Sequence, residues 1–390
     1  MMETINDQVY GGEIGQHYQL RGIRIGFNSG DDNFNFNGNA LSSEKDALLA
    51  IVYEILCKAN FENTDEVREE WEKSLKQKET DEVSLLYKYF YQNIFKEHPY
   101  SFDQDYTLLL DNLSKLNQKR LKSYYQQVFR PNNTLLFVYG DFKTAEMIKE
   151  LKNFYSHWQA ATGTFETVPA VENPDTFGQI LLVDKANAKN ARIVMGHQFN
   201  HAELFDKDLD VRTAFEVGNQ VLGSGDFGSY LMDEIRSNKG YVYDISSKYF
   251  CNRSGGAFRI ITSVRPDKAC ETVSAIKEMV QAIKTGQRKL IHTEVFRVIN
   301  HKNAFFPESY RDKEEIIEDL IDNFEMKKHD MNYLNQYIAS YNRVTAATAQ
   351  TALKQLLFPE KMLTVIVGNK EAILPAFQEA NIAVTVVSPK

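Results

Sequence analysis

Metal-assisted chemistry needs imidazoles and carboxylates at ligand spacing, and the histidines are the place to look for it. The closest pair is His197-Gln198-Phe199-Asn200-His201, two rings four residues apart. On a helix that spacing puts both rings on one face, where they can share a metal ion. Here the pair ends a strand-like run, Ala191 to Gly196, and passes into a loop, so the rings are not expected to share a face. Asn200 stands where a His-x-x-Glu-His site carries its glutamate, and an amide cannot take a proton from a metal-bound water. Neither His-x-x-Glu-His nor His-Glu-x-x-His occurs in the 390 residues. His292 and His301, nine apart on a helical stretch, read as structural. Three cysteines, Cys57, Cys251 and Cys270, support neither a disulfide framework nor a CxxC metal site.

A second constellation lies in Val221 to Ser247, VLGSGDFGSYLMDEIRSNKGYVYDISS. It holds Gly223, Gly225, Ser229, Leu231, Glu234, Arg236, Gly240 and Tyr243. Arginine offers a rigid fork of donors to carbonyl or carboxylate oxygens, and tyrosine offers one phenolic donor. Taken alone, Arg236 reads as a surface ion pair with Glu234 or Asp233, and Tyr243 as an aromatic packed on a sheet. The acidic run Asp312 to Asp319 reads as a solvated helix face.

These residues need elements to hold them. His17 to Phe27 and Asn33 to Asn39 alternate around the turn Asn28 to Asp32, which predicts a hairpin. A helix follows from Ser42, with Leu48, Ile51, Val52 and Ile55 on one face. One helix is expected from Thr64 through Leu75 and on to Phe95, stopping before Pro99. Thr134 to Tyr139, TLLFVY, reads as an apolar strand, and Lys143 to Trp158 as an amphipathic helix. Residues 160–176 have no period and contain Pro169 and Pro174, which marks a linker. Beyond it come strands at Gln179 to Val183 and Ala191 to Gly196, and a helix from Leu209. A second hairpin covers Val242 to Ser263, followed by long helices and the closing strands Met362 to Val367 and Ile382 to Val387.

Composition narrows the function classes. With 45 Lys+Arg against 53 Asp+Glu the net charge is -8, unsuited to neutralising phosphates, so nucleic acid is not expected as a partner. No apolar run is long enough to span a bilayer, and the first residues show no signal-peptide pattern. The compartment, periplasmic or cytoplasmic, stays open. The 20 Tyr and 25 Phe point to aromatic core packing.

The two halves look related. FRPNNTLLFVYGDFKTAEMIKEL and FPEKMLTVIVGNKEAILPAFQE share one order: Phe, Pro-containing turn, apolar strand, Gly-polar, helix. Gly140 then aligns with Gly368 and Phe27 with Phe250, at offsets of 228 and 223. Nearly equal offsets indicate an internal duplication. On that register the first repeat is expected to lack about 45 to 50 residues at its start, and apolar faces around Leu48, Ile51, Val52 and Ile55 are expected to lie open.

With this duplication and the Gly-rich segment, nearly the whole chain resembles the pitrilysin/insulinase family of zinc peptidases. Gly223, Gly225, Ser229, Leu231, Glu234, Arg236, Gly240 and Tyr243 match the family's second-domain segment, including the seven-residue Arg-to-Tyr spacing. His98-Pro99-Tyr100 and the run to FRPNNTLLFVYGD are similar to its first-domain ending. The resemblance implies an α+β fold of tandem duplicated domains, each an antiparallel-rich sheet packed with helices. The domains are expected at 1–160, with a linker at 161–176, and at 177–390. It implies that Arg236 and Tyr243 face substrate and a developing oxyanion, with Gly223, Gly225 and Glu234 in the substrate-binding segment. The family's zinc motif falls in the stretch expected to be missing. Its third ligand, a glutamate, falls near Lys76, Gln77 or Lys78, none of them acidic, with Glu72 and Glu79 nearest. No metal site is therefore expected in this chain. Zinc is expected in a homologous zinc-bearing domain or subunit, or in the missing N-terminal segment, with a peptide as substrate. The alternatives are an N-terminally truncated but catalytic zinc endopeptidase, and a non-enzymatic scaffold subunit.

Overall fold

The computed structural model describes residues 20–102, 104–162, 168–171, 178–199, 209–225, 228–311, 313–320 and 332–389. Contacts divide the chain into two units, Met1–Gln77 with Leu108–Val168 and Lys78–Thr107 with Pro169–Lys390. Both mix helix and sheet. No described helix is long and apolar enough to cross a membrane.

In the first unit, the chain turns at Gly22 (φ 72°) into β1 (Arg24–Ser29), which pairs antiparallel with β2 (Phe34–Asn39). Ile25, Phe27, Phe34 and Phe36 pack toward a cluster built on α1 (Lys45–Cys57). Ile51, Val52 and Ile55 of α1 are buried there with Ile23, Leu121, Tyr125 and Phe129. The expectation that this face lies open is corrected: the unit's own helices cover it. Three helices follow in chain order, α2 (Thr64–Glu79), α3 (Glu82–Phe95) and α4 (Tyr106–Ser114). Next come α5 (Gln118–Val128) and α6 (Thr144–Phe154). The single helix expected from Thr64 to Phe95 is two. The Asp81 side chain accepts from the Val83 and Ser84 amides, both at 3.0 Å, and so starts a new helix. The α3 helix belongs to the second unit. The expected strand Thr134 to Tyr139 has no ladder among the described residues, and Leu135 and Leu136 are exposed. A strand is not a local conformation, and its amides and carbonyls need a neighbour in register.

The second unit carries a six-stranded sheet, ordered β5-β6-β4-β7-β3-β8. The strands are β3 (Ile180–Asp184), β4 (Ala191–Phe199), β5 (Val242–Asn252), β6 (Gly255–Val264), β7 (Leu363–Gly368) and β8 (Thr385–Val387). Pairings from β5 through β7 are antiparallel, and β7–β3 and β3–β8 are parallel. The runs ILLVD and LTVIVG are apolar at nearly every position because both faces of β3 and β7 are covered. On one face Leu181, Val183, Val365 and Val367 meet Leu85, Leu86, Phe90 and Ile94 of α3. On the other, Leu182, Ile193, Phe258 and Ile260 meet helices α7 (Leu209–Asn219), α8 (Ala269–Thr285) and others. The remaining helices are α9 (His292–Phe305), α10 (Lys313–Leu320), α11 (Tyr333–Arg343), α12 (Ala346–Leu356) and α13 (Lys370–Glu379).

Gly196 shows how close α3 comes to the sheet. A Cβ there would sit 2.1 Å from the Phe258 carbonyl oxygen and 2.9 Å from the Phe90 ring. Gly196→Ala is expected to destabilise the unit by about 1–3 kcal/mol, because backbone and ring must both shift. Urea unfolding checks this, and an unchanged midpoint would show that the contact relaxes freely.

Candidate functional site

The Gly-rich segment leaves α7 through a π-helical turn, Gln220–Ser224. A Cβ on Gly223 would lie 2.6 Å from Leu231 Cδ1 and 2.8 Å from Ser247 Oγ, and one on Gly225 would lie 2.7 Å from the Gln220 carbonyl oxygen. Both glycines therefore allow close packing of the loop on itself and on β5. Farther along, Arg297 of α9 donates to the Gly228 carbonyl at 2.7 Å, tying the loop to that helix. Ser247 Oγ donates to Asn219 Oδ1 at 2.6 Å beneath it.

A second π-helical turn, Met232–Asn238, buries Met232 and Ile235 and leaves Glu234 and Arg236 half-buried. Gly240 (φ 65°) turns the chain into β5. Tyr243 follows, 82% exposed, and the Arg236 guanidinium carbon sits 5.2 Å from its ring centroid. The structure thus brings Arg236 and Tyr243 together at an open surface. Glu234 does something else. It pairs with Lys239 at 3.2 Å, and hydrogen bonds from Asn238 and then Lys239 hold its carboxyl below the usual range.

Farther along β5 lies a half-buried polar network that the sequence did not announce. Glu216 accepts from Tyr249 at 2.9 Å and Tyr337 at 2.6 Å, and pairs with Arg212 at 3.1 Å. Arg212 also donates to the Tyr333 hydroxyl at 2.8 Å. Burial, with Glu216 adjacent, pushes the Tyr249 phenol well up. The network ties α7 and α11 to β5, the strand that carries Tyr243. Its one local signal was the four-residue spacing of Arg212 and Glu216.

Zinc does not fit the described residues. Among the described residues no three His, Cys, Asp or Glu side chains converge as a metal site. Glu72 is turned to Lys76 at 2.6 Å on the exposed side of α2, and Glu79 accepts from Thr107 at 2.9 Å. The loop expected at His197 is instead strand, since β4 continues to Phe199. His197 is buried, stacked on Phe258, and its Nε2 accepts from the Phe358 amide at 3.3 Å. Asn200 and His201 lie outside the described residues. His292 and His301 stand beside Phe296 and Phe305 of α9. Cys57, Cys251 and Cys270 form no disulfide among the described residues.

Residues 115–294 match the family model of the peptidase M16 inactive domain. Over that stretch the chain is similar to a peptidase M16 inactive domain. That stretch holds the Gly-rich segment, Arg236 and Tyr243, and it bears out the pitrilysin/insulinase resemblance. The M16-like chain has the fold of a peptidase M16 inactive domain from Pseudomonas fluorescens, at 16% identity and TM-score 0.80 over 94% of this chain and 86% of that one. It is similar to a protease from Helicobacter pylori at 15% identity and TM-score 0.78, over 94% and 88% of the two chains. It also resembles the periplasmic protease PqqL from Escherichia coli, at 13% identity and TM-score 0.76, covering 95% of this chain and 41% of that chain. No curated protein compared with the chain matches it.

Proposed function

We propose that this M16-like chain is the substrate-binding, non-zinc-bearing portion of a zinc-dependent peptidase. It acts on peptides together with a homologous zinc-bearing domain or subunit. The observation that carries the reading is the Arg236–Tyr243 pair, held at an open surface by two glycine-dependent turns within the inactive-domain match. Arg236 presents its fork to carbonyls of an extended peptide, and Tyr243 presents one donor to the carbonyl under attack. The metal chemistry belongs to the partner on this reading, because Glu72 and Glu79, the carboxylates nearest the family's third-ligand position, are engaged by Lys76 and Thr107.

The chain purified alone is expected to hold no stoichiometric zinc and to cleave no peptide. Metal analysis of the purified chain, run beside a peptide-cleavage assay with and without chelator, checks both. About one tightly held zinc per chain with chelator-sensitive cleavage would overturn the reading and favour a catalytic endopeptidase.

A further inference from the structure

On the α3 face of the second unit's sheet, Arg259 of β6 has no carboxylate partner among the described ion pairs. Its guanidinium carbon lies 5.0 Å from the Tyr87 ring centroid, 5.9 Å from Tyr91 and 5.6 Å from Phe250. Nη1 donates to the Tyr91 hydroxyl, while Nε is covered and has no acceptor. Tyr87 and Tyr91 stack, with centroids 5.8 Å apart and 14° between planes. Beside them is a cavity of about 410 Å³, lined by Arg259, both tyrosines, Lys78, Asp81 and Ser84 among others.

Charge is out of balance here. Lys248 of β5 stands directly opposite Arg259 in the strand register, and like charges in that position repel. The other neighbour in register is Gly196, which carries no side chain. The carboxylates nearby are engaged elsewhere. Asp81 caps α3, Glu82 pairs with Arg192 at 3.0 Å, and Asp105 pairs with Lys88 at 3.0 Å. Rings can solvate a guanidinium but cannot neutralise it. A half-buried arginine with an uncovered cavity beside it and a second cation across the ladder lacks one thing, an anion of carboxylate size.

We infer that this cavity binds a carboxylate of a peptide, held by Arg259 with Lys248 in support and the tyrosine pair as its wall. The inference deepens the peptide-binding reading, yet its test needs neither partner nor zinc nor Arg236 and Tyr243, so the two can fail separately.

The test is calorimetric titration of the full chain with the blocked pentapeptide Ac-Ala-Ala-Glu-Ala-Ala-NH2. Its glutamine counterpart is the control, and pentaalanine with a free or amidated C-terminus separates a side-chain from a main-chain carboxylate. The glutamate peptide is expected to bind at least about tenfold more tightly than the glutamine one, the scale of one charge-assisted contact. Arg259→Met, which keeps the stem, should erase that difference without lowering the thermal midpoint. Lys248→Glu, at an exposed position, supplies a carboxylate from within, so it should weaken glutamate-peptide binding about tenfold and raise the midpoint. Binding of only the free C-terminus, lost in Arg259→Met, supports the site and assigns it the peptide end. Equal binding of all peptides, binding of none, or glutamate-peptide binding unchanged in either variant would overturn it.

Discussion

Tyr243→Phe is expected to slow peptide cleavage by the chain reconstituted with the zinc-bearing partner proposed above about 10²- to 10³-fold, the usual loss for one oxyanion donor. The substitution removes one hydroxyl and almost no volume. At 82% exposure the ring carries no core packing, so the assembly should survive. Arg236→Ala removes the guanidinium that lies 5.2 Å from that ring. It should raise the apparent KM and also lower kcat, because on the proposed reading the same side chain positions both peptide and phenol. Arg236→Lys restores the charge but not the fork, and should recover little. Cleavage rate and complex mass are followed together. Full activity of both variants in an intact complex would remove the pair from the mechanism and leave a scaffold role. Loss of the complex itself would make the pair an interface element.

His197 should make the second unit acid-labile. Burial among Phe199, Phe258 and Phe358 pushes its pKa down to about 4, and Lys284 and Lys361 push the same way. The unfolded chain binds the proton near pH 6.5, the folded one only near 4. The contribution is therefore fully present above about pH 6.5 and is lost as pH falls toward 4, up to about 3 kcal/mol. His197→Gln keeps an acceptor for the Phe358 amide and cannot titrate. Urea unfolding at steps from pH 7.5 to 4.5 should show a steeper acid loss in the native chain than in the variant. Parallel slopes would mean that the ring already carries a proton when folded, or that carboxylates dominate the range.

Much of the molecule was legible because its signals are local. Asn117 caps α5 by accepting from the Arg120 amide, and the hairpin turn closes with Gly30 N donating to Asn33 O at 2.9 Å. ILLVD and LTVIVG announced strands, and the Gly-rich segment announced itself by glycines that packing requires. The Arg236–Tyr243 pair was legible only as a motif; the two turns that bring the side chains together were not. Thr134 to Tyr139 has the same apolar character as β7, yet no strand forms there among the described residues, because a ladder needs partners that composition cannot supply. Asp81 looked like one more polar residue in a long helix until its carboxylate met two amides. His197 was a ligand candidate by spacing and became a core ring when β4 ran on to Phe199. Arg259 had no sequence signature that set it apart, and Glu216 only its four-residue spacing from Arg212. Whether a buried charge meets a carboxylate, a pair of phenols or an open cavity depends on strands and helices far apart in the chain, and only tertiary packing decides which of them it meets.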